Sequence, residues 1–168
     1  MIAFVLGALT WTLLEYLIHR WMGHDRRFKK TPFGVEHVRH HIEGNYFAPT
    51  WKKVLFALGL GALLVLLAGI GYTVGLLASY ALYEVLHRRY HTHGGFGPYG
   101  RWARRHHFHH HFVDGRTNHG VTSPVWDLVF GTYAPTSAIP VPRKLVMPWL
   151  VDASGAIRAE HAGVYRLR

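Results

Sequence analysis

From Val54 to Leu86 the chain runs for 33 residues with one charged side chain, Glu84, and from Ile2 to Ile18 for 17 residues with one, Glu15. These two runs constrain the fold more than any other feature. At 1.5 Å of helical rise per residue, the shorter run, continued through Trp21, can cross a hydrocarbon core about 30 Å thick. The longer run is too long for one span and short for two full ones. Gly69-Ile70-Gly71 supplies a break in its middle, so a tight hairpin of two helices is expected, with Gly59, Gly61, Gly69, Gly71 and Gly75 permitting close approach in lipid. A single long tilted helix is the alternative, and it would put the two halves of the basic material on opposite sides. The expected fold is therefore an all-α integral membrane protein with about three transmembrane helices, one span plus a helical hairpin.

Charge is segregated to match. The formal charge is +10, yet Lys and Arg are absent before Arg20 and again from Val54 to Leu86. A basic nucleic-acid binder does not account for apolar runs of this length, so nucleic acid is excluded as a partner. With three spans, both basic loops fall on one side, which the positive-inside rule makes cytoplasmic. Every histidine falls on that side too, as a histidine-rich helical cap. His19-Arg20-Trp21 and Trp51-Lys52-Lys53 put aromatic rings and cations at the expected interfaces. The N-terminus lacks a positive leader and a small-residue cleavage site, so it reads as a retained span. There is no cysteine, which removes thiolate metal sites. A helix is expected from about Val35 to Ile42 and a short one after Ser123-Pro124. Pro135, Pro140 and Pro142 then break structure. Residues 1–135 read as the membrane-embedded domain and 136–168 as a tail without assigned role, with a possible small hairpin around Asp152-Ala153-Ser154-Gly155.

The chemistry is carried by histidine, 15 residues in all. Four clusters stand in order. They are His19 and His24; His37, His40 and His41; His87 and His91; and an H-x2-H-H within residues 106–111. Positions i, i+3 and i+4 share one helix face, so each H-x2-H-H points three imidazoles one way, and neutral imidazole is the commonest protein metal ligand. His19 and His24 lie about 140° apart on an ideal helix and converge only if the helix ends or bends, which Gly23 is placed to permit. Ten imidazoles suit two metals, with the chain built as two modules, each a span end followed by an H-x2-H-H helix. Glu15-Tyr16-Leu17-Ile18-His19-Arg20 beside Tyr83-Glu84-Val85-Leu86-His87-Arg88 supports such a repeat. Glu15 and Glu84 lie one turn deeper than the first histidine of each module, placed to receive its second ring nitrogen. The alternative for these carboxylates is helix–helix hydrogen bonding.

Residues 104–112 permit two registers, His106-His109-His110 and His107-His110-His111. Only His110 belongs to both.

At these clusters the chain resembles the fatty acid hydroxylase (sterol desaturase) superfamily of histidine-box membrane oxygenases. The resemblance runs from Leu14–Arg20 with His24, through His37–His41 and His87–His91, to His107–Phe112 and Gly120–Thr132. Within it the order of boxes is most like the fatty acyl and ceramide 2-hydroxylases, with carotenoid hydroxylases the nearer rival. The closing His-His-Phe selects the second register. The resemblance implies His19, His24, His37, His40, His41, His87, His91, His107, His110 and His111 as ligands, with His106, His109 and His119 behind them. It implies two iron ions, replaceable by zinc in a purified protein, and O₂-dependent hydroxylation of an unactivated C–H bond. The substrate would be a lipid from the bilayer: a fatty acyl chain, sphingolipid or sterol. Family members usually have four spans, and this chain starts where the second would begin. It carries no b-type cytochrome domain, so the electron donor, a b-type cytochrome, ferredoxin or reductase, would be separate.

Aromatic residues near 46–51 and 96–102 are candidates for channel walls or interfacial anchors. Arg88, Arg89, Arg101, Arg104 and Arg105 are candidates for an anionic head group or an acidic donor. A lipid desaturase is the enzymatic alternative. A membrane metal-binding or transport protein is the non-enzymatic one, although a transporter should place its ligands near the bilayer middle.

Overall fold

A computed structural model describes residues 1–94, 97–136 and 138–168. The chain is mainly helical. Helix α1 (Ile2–Leu17) runs directly into a π-helical turn (Ile18–Gly23). Then come α2 (Pro32–Glu43), α3 (Thr50–Ala68), α4 (Ile70–Thr92), α5 (Pro98–Phe112) and the short α6 (Val125–Val129). Among the described residues, two helices are long and apolar enough to cross a membrane, Ile2–Gly23 and Thr50–Ala68. Helix α4 is 23 residues long but more polar, carrying Glu84, Arg88 and Arg89. The large apolar side chains of α1 and α3 point outward, including Phe4, Leu6, Leu9, Leu55, Phe56, Leu58 and Leu66. Aqueous solvent would not tolerate such a surface, and lipid requires it.

The break in the long run falls at Gly69 alone, which caps both α3 and α4 with a left-handed φ of 81°. Beyond it the two helices pack together, with Gly61 facing the Leu77 side chain. This is the expected hairpin. Helix α1 packs on α4 in parallel, because two glycines remove the spacers. A Cβ on Gly7 would stand 2.1 Å from the Tyr72 carbonyl oxygen, and one on Gly75 2.0 Å from that of Phe4. Further along, Trp11 meets Tyr80 and Tyr83, with ring centroids 4.8 and 5.6 Å apart. The parallel pairing brings His19 and His87 to the same end of the molecule, which is the physical meaning of the internal repeat.

Helix α2 starts where Thr31 accepts the Gly34 amide and Pro32 fills the first turn. Helix α5 likewise opens on Pro98. The tail departs from an all-α chain. Strands β1 (Ile139–Val141) and β2 (Tyr165–Leu167) pair in parallel, with Ile139 opposite Tyr165 and Val141 opposite Leu167. Their buried residues join Met147, Trp149 and Leu150 against Phe108 and Phe112 on the back of α5. The expected turn at 152–155 is present, closed by the bridge between Val151 and Ile157. The tail thus supports α5 from behind and, through the Trp149 indole donating to the His91 carbonyl at 3.0 Å, the end of α4.

Candidate metal centre

The ten histidines of the four boxes gather into two groups of five. One contains His19, His24, His37, His41 and His110; the other contains His40, His87, His91, His107 and His111. Within each, one nitrogen per ring lies within 4.8 Å of all the others, so each group could hold a metal ion. The groups are not the two chain modules. His40, from the first H-x2-H-H, reaches into the second group, and His110, from the last, reaches into the first. The modular reading is corrected on this point, and the reason is geometric. Helices α2 and α5 face each other across the centre, so the i+3 histidine of each box points to its partner's side. His41 and His111 stack between the groups, ring centroids 4.0 Å apart and nearly parallel.

The two groups are near copies. His19–His110 and His87–His40 have ring centroids 4.4 and 4.6 Å apart, His24–His41 and His91–His111 both 5.0 Å. His24 Nε2 is 2.9 Å from His37 Nε2, and His91 Nε2 is 2.9 Å from His107 Nε2. Convergence of His19 and His24 comes from the π-helical turn, since i→i+5 bonding sets residues five apart over one another. Gly23 does something else: it lets the His37 ring approach, a Cβ there falling 2.8 Å from that ring.

The protonation pattern fits metal ligands. His40 Nδ1 is 2.7 Å from the Tyr46 carbonyl, His110 Nδ1 2.8 Å from that of Thr117, and His19 Nδ1 2.6 Å from that of His119. A carbonyl only accepts, so each Nδ1 carries the proton and each Nε2 presents a lone pair to its group. His110 Nε2 stands 2.8 Å from His24 Nε2, itself 2.9 Å from His37 Nε2. Nitrogens at right angles about a cation with bonds of about 2.0–2.1 Å are separated by about 2.9 Å. Burial lowers the basicity of the rings: His24 and His40 fall to about 4, and His37, His41, His107, His110 and His111 well below their usual range. The rings are neutral at pH 7, the state in which imidazole binds metal.

The supporting residues differ from expectation. Glu15 receives no ligand histidine; it accepts the Val121 and Thr122 amides at 2.9 and 2.7 Å and the Thr122 hydroxyl at 2.8 Å. It lies on the α1 face toward the 118–122 loop, whose carbonyl at His119 serves His19 instead. Glu84 pairs with Lys53, because its side of α4 faces the start of α3. His106 and His109 lie outside both groups, which leaves His107, His110 and His111 as the register brought to the centre. His106 Nε2 is 3.1 Å from Asp127 and its ring stacks between Trp102 and Tyr133. His119 sits beside the first group, 5.2 Å from His110 by ring centroid.

Asp127, which belongs to no histidine box, is the organising residue of this loop. Its carboxylate accepts His106, the His119 and Gly120 amides and the Thr132 hydroxyl. Burial alone would raise its carboxyl, but these donors hold it below the usual range. The available signal was a lone acid amid the apolar residues after Ser123-Pro124. Of the arginines, Arg104 is buried, bonds the Gly94 carbonyl and lies over Trp149, so it does not face a head group; Arg105 bonds the Thr136 carbonyl. Arg88 lies over Phe47, which packs on His40, His87 and His91. Phe96, one of the expected channel aromatics, lies outside the described residues.

Residues 4–132 match the fatty acid hydroxylase family. The chain is 35% identical over 154 residues to a fatty acid 2-hydroxylase of Rattus norvegicus, covering 82% of this chain and 41% of that protein. It is 33% identical over 138 residues to a dihydroceramide fatty acyl 2-hydroxylase of Arabidopsis thaliana, covering 75% and 58%. A solved structure of full-length scs7p, in which only the hydroxylase domain is visible, superposes with a TM-score of 0.64 at 28% identity, covering 80% of this chain and 56% of that one. The chain spans well under two thirds of these relatives. It belongs to the fatty acid hydroxylase family.

Proposed function

We propose that this member of the fatty acid hydroxylase family is the metal-binding core of an O₂-dependent lipid hydroxylase. The observation that carries the reading is the pair of interleaved five-imidazole groups at one end of helices that are apolar on the outside. His19, His24, His37, His41 and His110 would hold one iron ion, and His40, His87, His91, His107 and His111 the other; zinc could replace iron in a purified protein. When bound, the pair supplies reductive activation of O₂ and hydroxylation of an unactivated C–H bond. The protein's own residues do the rest. Carbonyls of Tyr46, Thr117 and His119 fix the ring tautomers of His40, His110 and His19. Phe47 and the apolar flanks of α1 and α4 keep water from the centre and border the path by which an acyl chain would arrive from the bilayer. The relatives' names point to a fatty acyl or ceramide substrate and to hydroxylation over desaturation. Electrons would come from an acidic donor such as a b-type cytochrome.

We read α4 as a third span and the histidine end as cytoplasmic, on the distribution of Lys and Arg. As the chain has no cysteine, single Lys29→Cys and Ile70→Cys variants report topology: an impermeant thiol reagent outside intact cells should label only the second. Function is tested on the full chain in lipid nanodiscs. Two irons per chain and reductant-dependent incorporation of ¹⁸O into an acyl lipid are expected. One loosely held ion with no oxidation under any reductant would sink the reading.

A further inference from the structure

The two groups differ in a neighbour that occupies the same place in each. Map His19, His24, His37, His41 and His110 onto His87, His91, His107, His111 and His40, and the loop after α5 maps onto the loop after α2. Each loop first gives a carbonyl to the histidine that crosses over, Thr117 to His110 and Tyr46 to His40. Each then places one aromatic ring against the group. Phe47 is 5.1 Å from His40 and 5.6 Å from both His87 and His91. His119 is 5.2 Å from His110 and 5.6 Å from both His19 and His24. The same place holds a phenyl ring in one group and an imidazole in the other.

That imidazole is 2% exposed. Its Nε2 is 3.1 Å from the Arg116 carbonyl, which can only accept, so Nε2 carries the proton and Nδ1 keeps a lone pair. Nδ1 is buried and, among the described residues, has no hydrogen-bond partner. One nitrogen protonated onto a carbonyl and the other keeping its lone pair is the arrangement of His19 and His110 themselves. His119 stands outside the five whose nitrogens lie within 4.8 Å of one another, so its Nδ1 joins them by a change of rotamer.

We propose that His119 supplies a sixth nitrogen donor to the first group, making the two metal positions unequal. The first ion is then the more firmly held, and the second, beside Phe47, keeps the more open coordination sphere. The inference rests on the groups binding metal.

The test is a cobalt(II) titration of the metal-free full chain in detergent, followed by visible absorption. Wild type should bind two ions with dissociation constants at least tenfold apart. His119→Phe, which copies the second group and leaves the His119 carbonyl in place, should bring them within threefold and intensify the absorption of the first ion as its coordination number falls. Phe47→His should bring them together from the other side, by tightening the second. Two ions of equal affinity in wild type, or an unchanged separation and spectrum in a folded His119→Phe protein, would overturn the inference and leave the metal reading standing. Failure of the wild-type chain to take up cobalt would overturn both.

Discussion

Replacing Asp127 with asparagine should unsettle the first group without touching a single ring of it. The carboxylate is fully buried and serves four donors: Oδ1 takes the His119 amide at 2.8 Å and the Thr132 hydroxyl at 2.7 Å, and Oδ2 the Gly120 amide at 2.8 Å and His106 Nε2 at 3.1 Å. Asparagine keeps one acceptor oxygen and turns the other position into a donor. Whichever way the amide sits, one main-chain amide, of His119 or of Gly120, faces a donor, while the Thr132 hydroxyl or His106 ring beside it must turn to accept. The Gly120 amide cannot swing away, because that turn is closed so tightly that a Cβ on Gly120 would lie 2.0 Å from the Ser123 carbonyl oxygen. One hydrogen bond to a charged acceptor is lost outright, at about 1.5–3 kcal/mol, so a destabilisation of about 2–3 kcal/mol is expected. The loop that moves also holds His19 through the His119 carbonyl at 2.6 Å. Guanidinium unfolding in detergent, with metal content by mass spectrometry, reads both effects. The midpoint should fall with little change in slope, and the variant should retain one of its two ions. Stability within about 1 kcal/mol of wild type, with both ions held, would refute the assignment of Asp127 as the loop's anchor.

The crossover makes its own prediction. His40→Ala should drop the ion of the second group, so combining it with His91→Ala still leaves about one ion per chain, whereas combining it with His37→Ala leaves none. The opposite pattern, by metal analysis, would restore the modular grouping. Packing of α1 on α4 predicts that Gly75→Ala destabilises by about 2–3 kcal/mol or more, since its Cβ meets the Phe4 carbonyl at 2.0 Å, while Gly59→Ala, with nothing within 4 Å, is neutral in thermal unfolding. The metal-free protein should weaken in acid. His24, His40 and His119 have basicities lowered by burial to about 4, against about 6.5 unfolded. Below pH 6.5 the unfolded chain binds protons that the folded one refuses, so stability falls between pH 6.5 and 4 by up to about 3 kcal/mol per ring. Denaturant midpoints equal at pH 7.5 and 5 would contradict this.

Much of the fold was legible because lipid and water impose sharp sequence rules. Two charge-poor runs, a glycine at the break and basic residues at the ends place α1, the hairpin and their common orientation. The Glu15–Arg20 and Tyr83–Arg88 repeat anticipates parallel helices presenting His19 and His87 at one end. The membership of each group was not legible in the same way. A helical H-x2-H-H says that three rings share a face, and both α2 and α5 obey it. It does not say that two such faces oppose each other, and only then does the i+3 ring of each helix lie nearer to the partner's cluster. The carboxylates were misread for a related reason. Glu15 and Glu84 sit at the right helical phase to support their histidines, but a loop and a lysine distant in sequence compete for them, with Val121, Thr122 and Lys53 as the winners. The histidines are supported by main-chain carbonyls instead, and carbonyls leave no signature in sequence. The same holds for the inequality of the two groups. A phenylalanine at 47 and a histidine at 119 share no motif, yet each follows its own crossing histidine by a few residues, seven in one case and nine in the other. Their equivalence becomes visible only when the two halves are superposed around the stacked pair of His41 and His111. A duplicated scaffold thereby offers two nearly identical cages, and one loop residue, phenylalanine behind one and histidine behind the other, is enough to give the two groups different surroundings.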